Sequence, residues 1–465
     1  MLQSRQPANL LSEEQPVSSE QEDWSFAHLT PAHTLWGPHG YHRYPAKFIP
    51  QLVRRIIDDY SSPDESIGDP FLGSATTGVE ALRAKRIFYG SDIHPVALLI
   101  SRAKCVLLEP EYLYSVWRCL ECTISLFPHL EKRTLTPEEI QYITALRITH
   151  ASMEERLNYW FPPEHRAVLA LILEAICALT DERIRIFFLC AFSNILRRCS
   201  IWLSGSTKPQ KDLRKMLGSP VEEFSRQVQS MLKRNILYWQ DLQHSAITPE
   251  NIGQYLHIAQ EDVRELSLPD KALDLLVTSP PYATCYEYSE MHQLTQLWFE
   301  KYGIFQHSSL SYIGTKTVAR REVLAESQIA STGSPSADSA LQRLQCLAHG
   351  TIVGDVRQEV RALQYYFRDM HNALHECVRV VKPYKRMVLI VGNSCRRGIF
   401  IPTSQALNEI AEQVGFILEK KIVRHIPGRV LVPTRNKQTG RFSSVAHSDS
   451  IAYPEEDILI FQRHF

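Results

Sequence analysis

The 465-residue sequence lacks an uninterrupted apolar run near twenty residues, so it offers no transmembrane helix. Its first residues, MLQSRQPANLLSEEQ, lack the basic and apolar regions of a secretory signal, and we expect a cytoplasmic location. The chain also lacks net charge, with 51 basic and 51 acidic residues. Whole-molecule electrostatics therefore indicate no nucleic-acid partner, and any contact with one must come from local patches.

Cysteine pairs at metal-binding spacing are also lacking. Cys119 and Cys122 form a CxxC motif in a predicted helix, but no second pair stands at zinc-finger spacing, so no metal site is expected. In the absence of an export signal, the ten cysteines are predicted to be reduced thiols. The 44% of hydrophobic residues is typical of a soluble globular chain and excludes global disorder.

Hydrophobic periodicity predicts an α/β fold that is interrupted by helices. Residues 1–30 are rich in Gln, Glu, Ser and Pro and are expected to form a flexible tail. One α/β domain is predicted from 31–109 and 251–465, with the mostly helical residues 110–250 as an insertion. The Ser/Ala/Gly-rich stretch 322–345 is predicted to be a mobile loop.

The first part of this domain has the order of a parallel sheet. SIGDP is a predicted strand, DPFLGSATTG a loop, GVEALRAKR a helix and IFYGSD a second strand. Strand periodicity resumes in YLHIAQED, ALDLLVTSPPY, RMVLIVGNS and DILIFQR.

Two loops are predicted at the same edge of this sheet. The loop that starts at Asp69 contains small residues, which let backbone N–H groups approach a ligand closely. Asp92 closes the next strand about twenty residues later, where an acidic side chain accepts hydrogen bonds from ribose hydroxyls. Residues 278–282, TSPPY, follow the apolar strand ALDLLV and should emerge beside the first loop.

The first loop, DPFLGSATT, resembles the adenosylmethionine-binding DPFxGSGTT motif of the amino-group DNA methyltransferases, which act on cytosine N4 or adenine N6. Residues 42–50, HRYPAKFIP, are similar to the upstream motif of that family, which lies against the methionine part of the cofactor. The resemblance covers roughly 39–105 and 255–465. It implies a Rossmann-like class I sheet dependent on S-adenosyl-L-methionine (SAM), with the large helical insertion 110–250 as a candidate DNA-recognition region.

The resemblance implies a set of cofactor-binding residues. Asp262 matches the family's acidic residue that contacts the adenine amino group, although a role as a helix N-cap or turn residue stays open. Ala75 departs from the family, which usually has glycine there; its methyl group either tightens the pocket or changes the backbone. The predicted cofactor residues are Tyr44, Ala46, Lys47, Phe48, Asp69, Pro70, Phe71, Gly73, Ser74, Thr76, Thr77, Asp92, Ile93, Asp262 and Val263.

The predicted catalytic residues are Ser279, Pro280, Pro281 and Tyr282. An exocyclic amine is a poor nucleophile because its lone pair is delocalised into the ring. The Ser279 hydroxyl and the Pro280 carbonyl are candidates to accept hydrogen bonds from the two amino N–H groups. They lie on a loop that the prolines stiffen. Tyr282 is a candidate to stack on the flipped base. Taken alone, SPPY is equally consistent with a purely structural role, as a rigid turn capped by a core tyrosine.

The target base is inferred from the first position of this tetrad. The family's cytosine-N4 enzymes usually carry Ser and its adenine enzymes Asp or Asn, so Ser279 favours cytosine. The following YATCYEYSEMHQLTQLWF and YIGTKTVARR also look like the cytosine group. Glu287 and Tyr288 are pocket candidates, with core and surface roles open. Cys285 is not expected to be a nucleophile, and no Pro-Cys dipeptide offers the one that ring-carbon methylation needs.

Two basic stretches are candidates for contact with DNA phosphates. The first contains Arg197, Arg198, Lys208, Lys211, Arg214 and Lys215, with a solvated helix face as the alternative. The second contains Arg429, Arg435, Lys437 and Arg441. The expected partners are double-stranded DNA and a restriction-modification or other defence system. An adenine-N6 enzyme, an RNA base methyltransferase and a catalytically silent homologue remain alternatives.

Overall fold

The central sheet has seven strands in the order β3-β2-β1-β4-β5-β11-β8, in a computed structural model of the chain. The strands from β3 to β5 pair in parallel, and β11 is antiparallel to both β5 and β8. This arrangement confirms the predicted Rossmann-like α/β fold. The structure describes residues 24–44, 47–127, 136–145, 151–206, 209–283, 288–306, 312–314, 331–347, 353–426, 434–435, 450–451 and 455–464.

The strands include four short ones that form two separate two-stranded sheets, β6 with β7 and β9 with β10. Their bounds are β1 Ser66–Asp69, β2 Ile87–Asp92, β3 Leu256–Gln260, β4 Leu273–Thr278, β5 Val381–Val391, β6 Ser394–Arg396, β7 Ile399–Ile401, β8 Phe416–His425, β9 Thr434–Arg435, β10 Ser450–Ile451 and β11 Glu455–Arg463.

The helices lie on both faces of the sheet and in the region between β2 and β3. Their bounds are α1 Pro31–Thr34, α2 Pro50–Tyr60, α3 Thr76–Arg83, α4 Pro95–Cys105, α5 Pro110–Ile124, α6 Pro137–Ala145, α7 Ala151–Trp160, α8 Pro163–Cys177, α9 Glu182–Ile195, α10 Pro220–His244, α11 Ile252–Tyr255, α12 Tyr288–Met291, α13 Gln293–Lys301, α14 Pro335–Cys346, α15 Val353–Val380 and α16 Thr403–Val414. A 3₁₀ turn spans Gly37–Gly40.

Successive residues of the central strands point to opposite faces and enter different cores. In β4, Leu275 and Val277 join the core beneath α2 and α3, whereas Leu276 joins the core beneath α14, α15 and α16. All six residues of β4 are buried. A strand buried on both faces reads as a continuous apolar run, which is why LDLLVT is recognisable in the sequence.

The helices between β2 and β3 share a third core with the segment that precedes α2. Tyr41 and residues of α4 and α13 lie in this core together with α8 and α9. Helix α10 joins two cores: Phe224 packs in the helical one, and Tyr238 packs against the sheet. The helical region is therefore anchored to the sheet through α10.

Two expectations about loops are wrong in part. Residues 335–346, within the predicted mobile loop, form α14, because Ala337, Ala340, Leu341 and Leu344 recur at helical spacing and are buried. Residues 24–30, assigned to the flexible tail, include Trp24, whose side chain is only 3% exposed. The backbone oxygen of Trp24 accepts a hydrogen bond from Arg424 Nε at 2.9 Å.

The central strands β1 and β4 are joined by a buried carboxylate at each end. At the carboxyl edge, Asp69 accepts hydrogen bonds from Thr278 Oγ1 at 2.6 Å and from Thr77 Oγ1 at 2.7 Å. At the amino edge, Asp274 accepts them from Ser66 Oγ at 2.8 Å and from Lys382 Nζ at 2.6 Å.

The pKa values of these two carboxylates are shifted in opposite directions. Burial raises the pKa of Asp69 to about 6, because the neutral donors around it do not compensate for the lost hydration. Burial also raises the pKa of Asp274, but the hydrogen bonds from Lys382 and Ser66 outweigh it, so the net effect is a lowered pKa. A raised pKa means that the folded state binds the proton more tightly than the unfolded chain, so Asp69 destabilises the fold as pH rises through about 6.

Asp69→Asn should remove this titration. The wild type should lose stability between pH 4 and pH 7 through this titration, whereas the variant should not. The free energy of unfolding of the variant minus that of the wild type should therefore rise by up to about 3 kcal/mol across this range. Urea denaturation across that range measures the difference. Asp274→Asn is the matched control: the difference should run the other way, since a lowered pKa stabilises the fold above the unfolded-state value. Parallel pH profiles for the two variants would contradict the assignment.

Helix α3 begins after a left-handed residue. Ala75 has φ 56° and ψ 41°, and its side chain is fully buried. Its N–H donates to Leu72 O at 2.8 Å, and its carbonyl accepts from Val79 N at 3.1 Å, so hydrogen bonds on both sides hold this conformation. The glycine that the family usually has here adopts it without steric cost. The alanine therefore holds a left-handed conformation at a cost in strain.

Two substitutions at Ala75 test this conformation. Ala75→Gly should change the free energy of unfolding by less than about 1 kcal/mol, because relief of strain is offset by the lost buried methyl and a more flexible unfolded chain. Ala75→Val should lower it by about 3 kcal/mol, because a β-branched residue is strained there and overpacks the core. Urea denaturation measures both; a well-tolerated valine would disagree with a left-handed residue 75.

Candidate active site

The loop after β1 turns sharply beneath the ring of Tyr44. Gly73 has a positive φ of 52°, and a Cβ on it would lie 3.4 Å from Tyr44 Cε1. Its N–H donates to Asp92 Oδ2 at 2.8 Å, which connects the loop to the end of β2. Glycine is needed here for the backbone conformation and for the close approach of the ring.

One cavity lies at the carboxyl edge of the sheet, next to the neighbouring strands β1 and β4. The chain continues from β1 to β2 on one side and from β4 to β5 on the other. The cavity encloses about 930 Å³, its open mouth included. Such a switch point is where open α/β sheets bind ligands. The predicted residues that line it are Tyr44, Lys47, Phe48, Pro70, Phe71, Gly73, Ser74, Thr76, Asp92, Ile93, Asp262, Val263, Ser279 and Pro281.

Five predicted site residues are not among the lining residues. Asp69 and Thr77 are buried behind the loop, where they hydrogen-bond to each other. Pro280 is buried and Tyr282 is half-buried at the next positions of the tetrad. Ala46 lies outside the described residues, as do Cys285 and Glu287 and the side chain of Tyr288.

Asp92 fixes the loop and faces the cavity. Its Oδ1 accepts from His94 N at 2.8 Å while Oδ2 is bound to Gly73 N. Burial raises the pKa of Asp92 to about 6. A carboxylate has about four lone-pair sites, so Asp92 can hold the loop and still accept hydrogen bonds from a ribose.

Asp262 lies in a turn and also faces the cavity. It lines the cavity, and its Oδ1 also accepts from Arg264 N at 3.0 Å, as a turn residue does. The Arg264 guanidinium donates to Oδ2 at 2.5 Å. Burial raises the pKa of Asp262, but the hydrogen bonds from Arg264 outweigh it and the pKa is lowered. Asp262 therefore faces the cavity as a carboxylate acceptor, as contact with an amino group would require.

Lys47 lines the cavity, and its amine is hydrogen-bonded to the backbone. Nζ donates to the backbone oxygen of His39 at 2.8 Å, and burial lowers its pKa to about 8. Lys47 therefore ties the upstream motif to the 3₁₀ turn at Gly37–Gly40.

The tetrad leaves the end of β4 beside the loop from β1. Thr278, the residue before Ser279, is completely buried and donates to Asp69. The ring of Tyr282 lies over Gly392 at the end of β5, because a Cβ on that glycine would be 3.2 Å from Tyr282 Cε1. The two loops are thus held against each other from below by Asp69, and Gly392 provides the space that the Tyr282 ring occupies.

His94 is a lining residue that the motifs do not predict. Its Nδ1 accepts from Val96 N at 3.1 Å, as an N-cap, and burial lowers its pKa to about 4. Neutral His94 therefore carries its proton on Nε2, which has no hydrogen-bond partner among the described residues. Its ring stacks on Tyr312, with centroids 5.4 Å apart. The only sequence signal was a polar residue directly before Pro95.

The cavity wall fits a polar ligand with both apolar and hydrogen-bonding parts. Besides His94 Nε2, Ser74 Oγ is buried there without a partner in the described part of the chain. Buried polar atoms normally have hydrogen-bond partners. Two unpaired groups beside Asp92 and Asp262, with apolar Ile93 and Val263 between them, match the mixed character of an adenosyl cofactor.

The predicted DNA-contact residues of the helical region do not form one exposed surface. Arg197 points inward: its guanidinium donates to Met291 O at 2.8 Å, and burial lowers its pKa to about 10. Lys215 donates to three backbone carbonyls, and Arg198 pairs with Glu223 at 3.0 Å. Lys211 and Arg214 are exposed.

The remaining basic candidates lie outside the described residues or in the short strand β9. Lys208, Arg429, Lys437 and Arg441 lie outside the described residues. Arg435 lies in β9, which pairs with β10, and the structure does not describe its side chain. Their contacts with DNA stay predictions.

Comparisons with known proteins agree with this geometry. The family profile for N6 and N4 methyltransferases, described as DNA methylase, matches residues 6–102. The chain is 26% identical to the Type II methyltransferase M.MvaI of Kocuria varians, over 92% of this chain and 91% of that protein. It is 21% identical to the Type II methyltransferase M.BsoBI of Geobacillus stearothermophilus, over 90% and 85%.

Among solved structures, a SAM-dependent methyltransferase from Methanosarcina mazei aligns at 9% identity with a TM-score of 0.30, covering 91% of this chain and 99% of that one. Within the described residues, no helix is both long and apolar enough to span a membrane. The family profile over residues 6–102 and the near full-length relatives show that the chain is similar to the amino-group DNA methyltransferases, and they support an enzyme that uses S-adenosyl-L-methionine.

Proposed function

We propose that this enzyme is a Type II modification methyltransferase that methylates the N4 amino group of a flipped cytosine in double-stranded DNA. The observation that carries the proposal is that Ser279 and Pro281 line the same cavity as Gly73, Asp92 and Asp262. A methyl donor held by the latter three residues would lie beside the tetrad. The Type II relatives support a role in restriction-modification or a related defence system.

The residues of the tetrad meet the main chemical requirement of the reaction. When bound, S-adenosyl-L-methionine supplies an electrophilic methyl group on its sulfonium. The Ser279 hydroxyl and the Pro280 carbonyl accept hydrogen bonds from the two amino N–H groups of the base, which orients the nitrogen lone pair away from the ring plane. Fixed orientation of this kind lowers the barrier without a strong base. Asp69 keeps the acceptors in place, because it holds Thr278 at the start of the loop.

Tyr282 is suited to hold the base outside the duplex. A base that reacts must leave the stack and be held against an apolar or aromatic face. The ring of Tyr282 is half-buried at the end of the tetrad, and Gly392 fixes one of its edges. The choice of cytosine over adenine rests on serine at the first position of the tetrad, where the adenine enzymes usually carry Asp or Asn.

Substitutions in the tetrad should separate orientation of the amine from stacking of the base. Ser279→Ala should lower kcat by about 100-fold, because one acceptor for the amino protons is lost. Its affinity for the cofactor should stay within about threefold of the wild type, since Ser279 contributes one edge of the wall. Transfer of labelled methyl groups to DNA and calorimetric titration with cofactor measure the two quantities.

At Tyr282 the ring should matter and the hydroxyl should not. Tyr282→Ala should weaken the use of DNA by about 10-fold or more, because base stacking on an aromatic ring contributes about 1–3 kcal/mol. Tyr282→Phe keeps the ring and is the matched control, with kcat/KM for DNA expected within about threefold of the wild type. Equal losses in both variants would favour a structural role for the hydroxyl.

The methylated base decides between the proposed reaction and its alternatives. DNA from cells that express the wild-type chain should contain 4-methylcytosine in nucleoside mass spectrometry, and DNA from cells with Ser279→Ala should lack it. A product of 6-methyladenine would refute the choice of base. Labelled methyl groups in tRNA with none in DNA would identify an RNA enzyme, and cofactor binding without transfer to either would identify a silent homologue.

A further inference from the structure

The loop 209–217, which precedes α10, exposes two large apolar side chains. Leu213 is 81% exposed and Met216 is 92% exposed, more than the other large hydrophobic residues of the described chain. Single exposed apolar residues are common on protein surfaces. Two within four residues, next to exposed Lys211 and Arg214, form an apolar and cationic surface that nothing in the fold requires.

The backbone that presents these side chains is fixed. Leu203 N donates to Gln210 O and Asp212 N donates to Ile201 O, both at 2.8 Å, so the first part of the loop is paired with residues 201–203. Lys215 closes its base by donating to the carbonyls of Arg197, Ser200 and Trp202 at 2.5, 2.9 and 2.8 Å. Leu213 and Met216 thus project from a braced loop.

The charges of the loop suit a polyanion. The Lys211 ammonium lies 3.3 Å from the centroid of the Tyr159 ring, which neutralises no charge. Arg214 has no carboxylate partner within the described residues. The nearby carboxylate of Asp212 accepts a hydrogen bond from Arg214 N at 3.0 Å, which is a contact within the turn.

The loop is connected to the cavity through consecutive contacts. The Arg197 guanidinium bridges Ser206 O at 3.3 Å and Met291 O at 2.8 Å. His292, the next residue, stacks on Tyr44 with ring centroids 5.1 Å apart, and Tyr44 lines the cavity. Because Lys215 of the loop also donates to Arg197 O, a chain of contacts runs from the loop to a residue that lines the cavity.

We propose that the 209–217 loop is a DNA wedge: Lys211 and Arg214 contact phosphates, and Leu213 and Met216 pack into the space that the flipped base leaves in the duplex. Proteins that unstack a duplex insert Leu or Met in this way, flanked by cations. The inference rests on the proposed function, because a wedge is needed only by an enzyme that takes a base out of the stack.

The test uses the full-length enzyme with saturating cofactor and duplexes that contain the site found by modified-base sequencing. The double variant Leu213→Ala/Met216→Ala should lower kcat/KM by about 10-fold on a duplex with a paired target, because unstacking costs a few kcal/mol. On a duplex with a mismatched target the defect should shrink to less than about threefold, because a mismatched base is easier to flip. Leu126→Ala, at a residue 66% exposed after α5, is the matched control and should behave like the wild type.

The phosphate contact has a separate readout. Arg214→Gln should reduce the slope of log K against log salt concentration by about 1 in DNA-binding titrations. Arg183→Gln is its control, because Arg183 lies at the opposite end of α9 from Arg197, and its slope should be unchanged.

Three results would overturn the wedge. One is wild-type kinetics in the double variant on the paired duplex, and another is an equal loss on paired and mismatched duplexes. The third is a changed oligomeric state in light scattering with unchanged DNA kinetics, which would assign the surface to a protein partner. An inactive wild-type enzyme would instead refute the proposed function, and the inference with it, so the two failures are distinguishable.

Discussion

The carboxylate of Asp69 is the interaction on which the active site depends. It accepts hydrogen bonds from Thr77, at the start of the helix after the cofactor loop, and from Thr278, directly before the tetrad. The two loops are more than two hundred residues apart in the sequence, and this buried side chain connects them. The raised pKa of Asp69 shows that its burial is unfavourable. The fold tolerates a destabilising group at the place where two loops must meet.

The helical region also positions the site. Gln227 of α10 donates to Tyr41 O at 2.7 Å, and Ser193 of α9 bonds with His42 Nε2 at 2.9 Å. Arg43 N donates to Asn194 Oδ1 at 3.1 Å. The upstream motif thus approaches the cofactor loop while its first residues are held by two helices. Helices inserted between β2 and β3 therefore hold the residues that directly precede Tyr44, which lines the cavity.

The sequence predicted those parts of the fold that local pattern determines. LDLLVT is a strand at the predicted place because burial on both faces leaves an apolar run. IFYGSD is also a strand at the predicted place, although only half of its residues are fully buried. Side chains that meet across the fold were not predictable: His94 stacks on Tyr312, 218 residues later, with no periodic signal in either segment. Composition predicts a loop where α14 forms, because Ser and Ala are abundant in both, and only the spacing of the buried residues distinguishes the two.

Basic density in the sequence does not by itself identify which cations are exposed, for a related reason. A count of cations ignores intramolecular acceptors, and Arg197, Arg198 and Lys215 each have one here. A guanidinium that already donates to backbone carbonyls would leave them unsatisfied if it turned to a phosphate, at a cost of about 1–3 kcal/mol for each buried acceptor. Such residues organise the loop, whereas Lys211 and Arg214 are exposed.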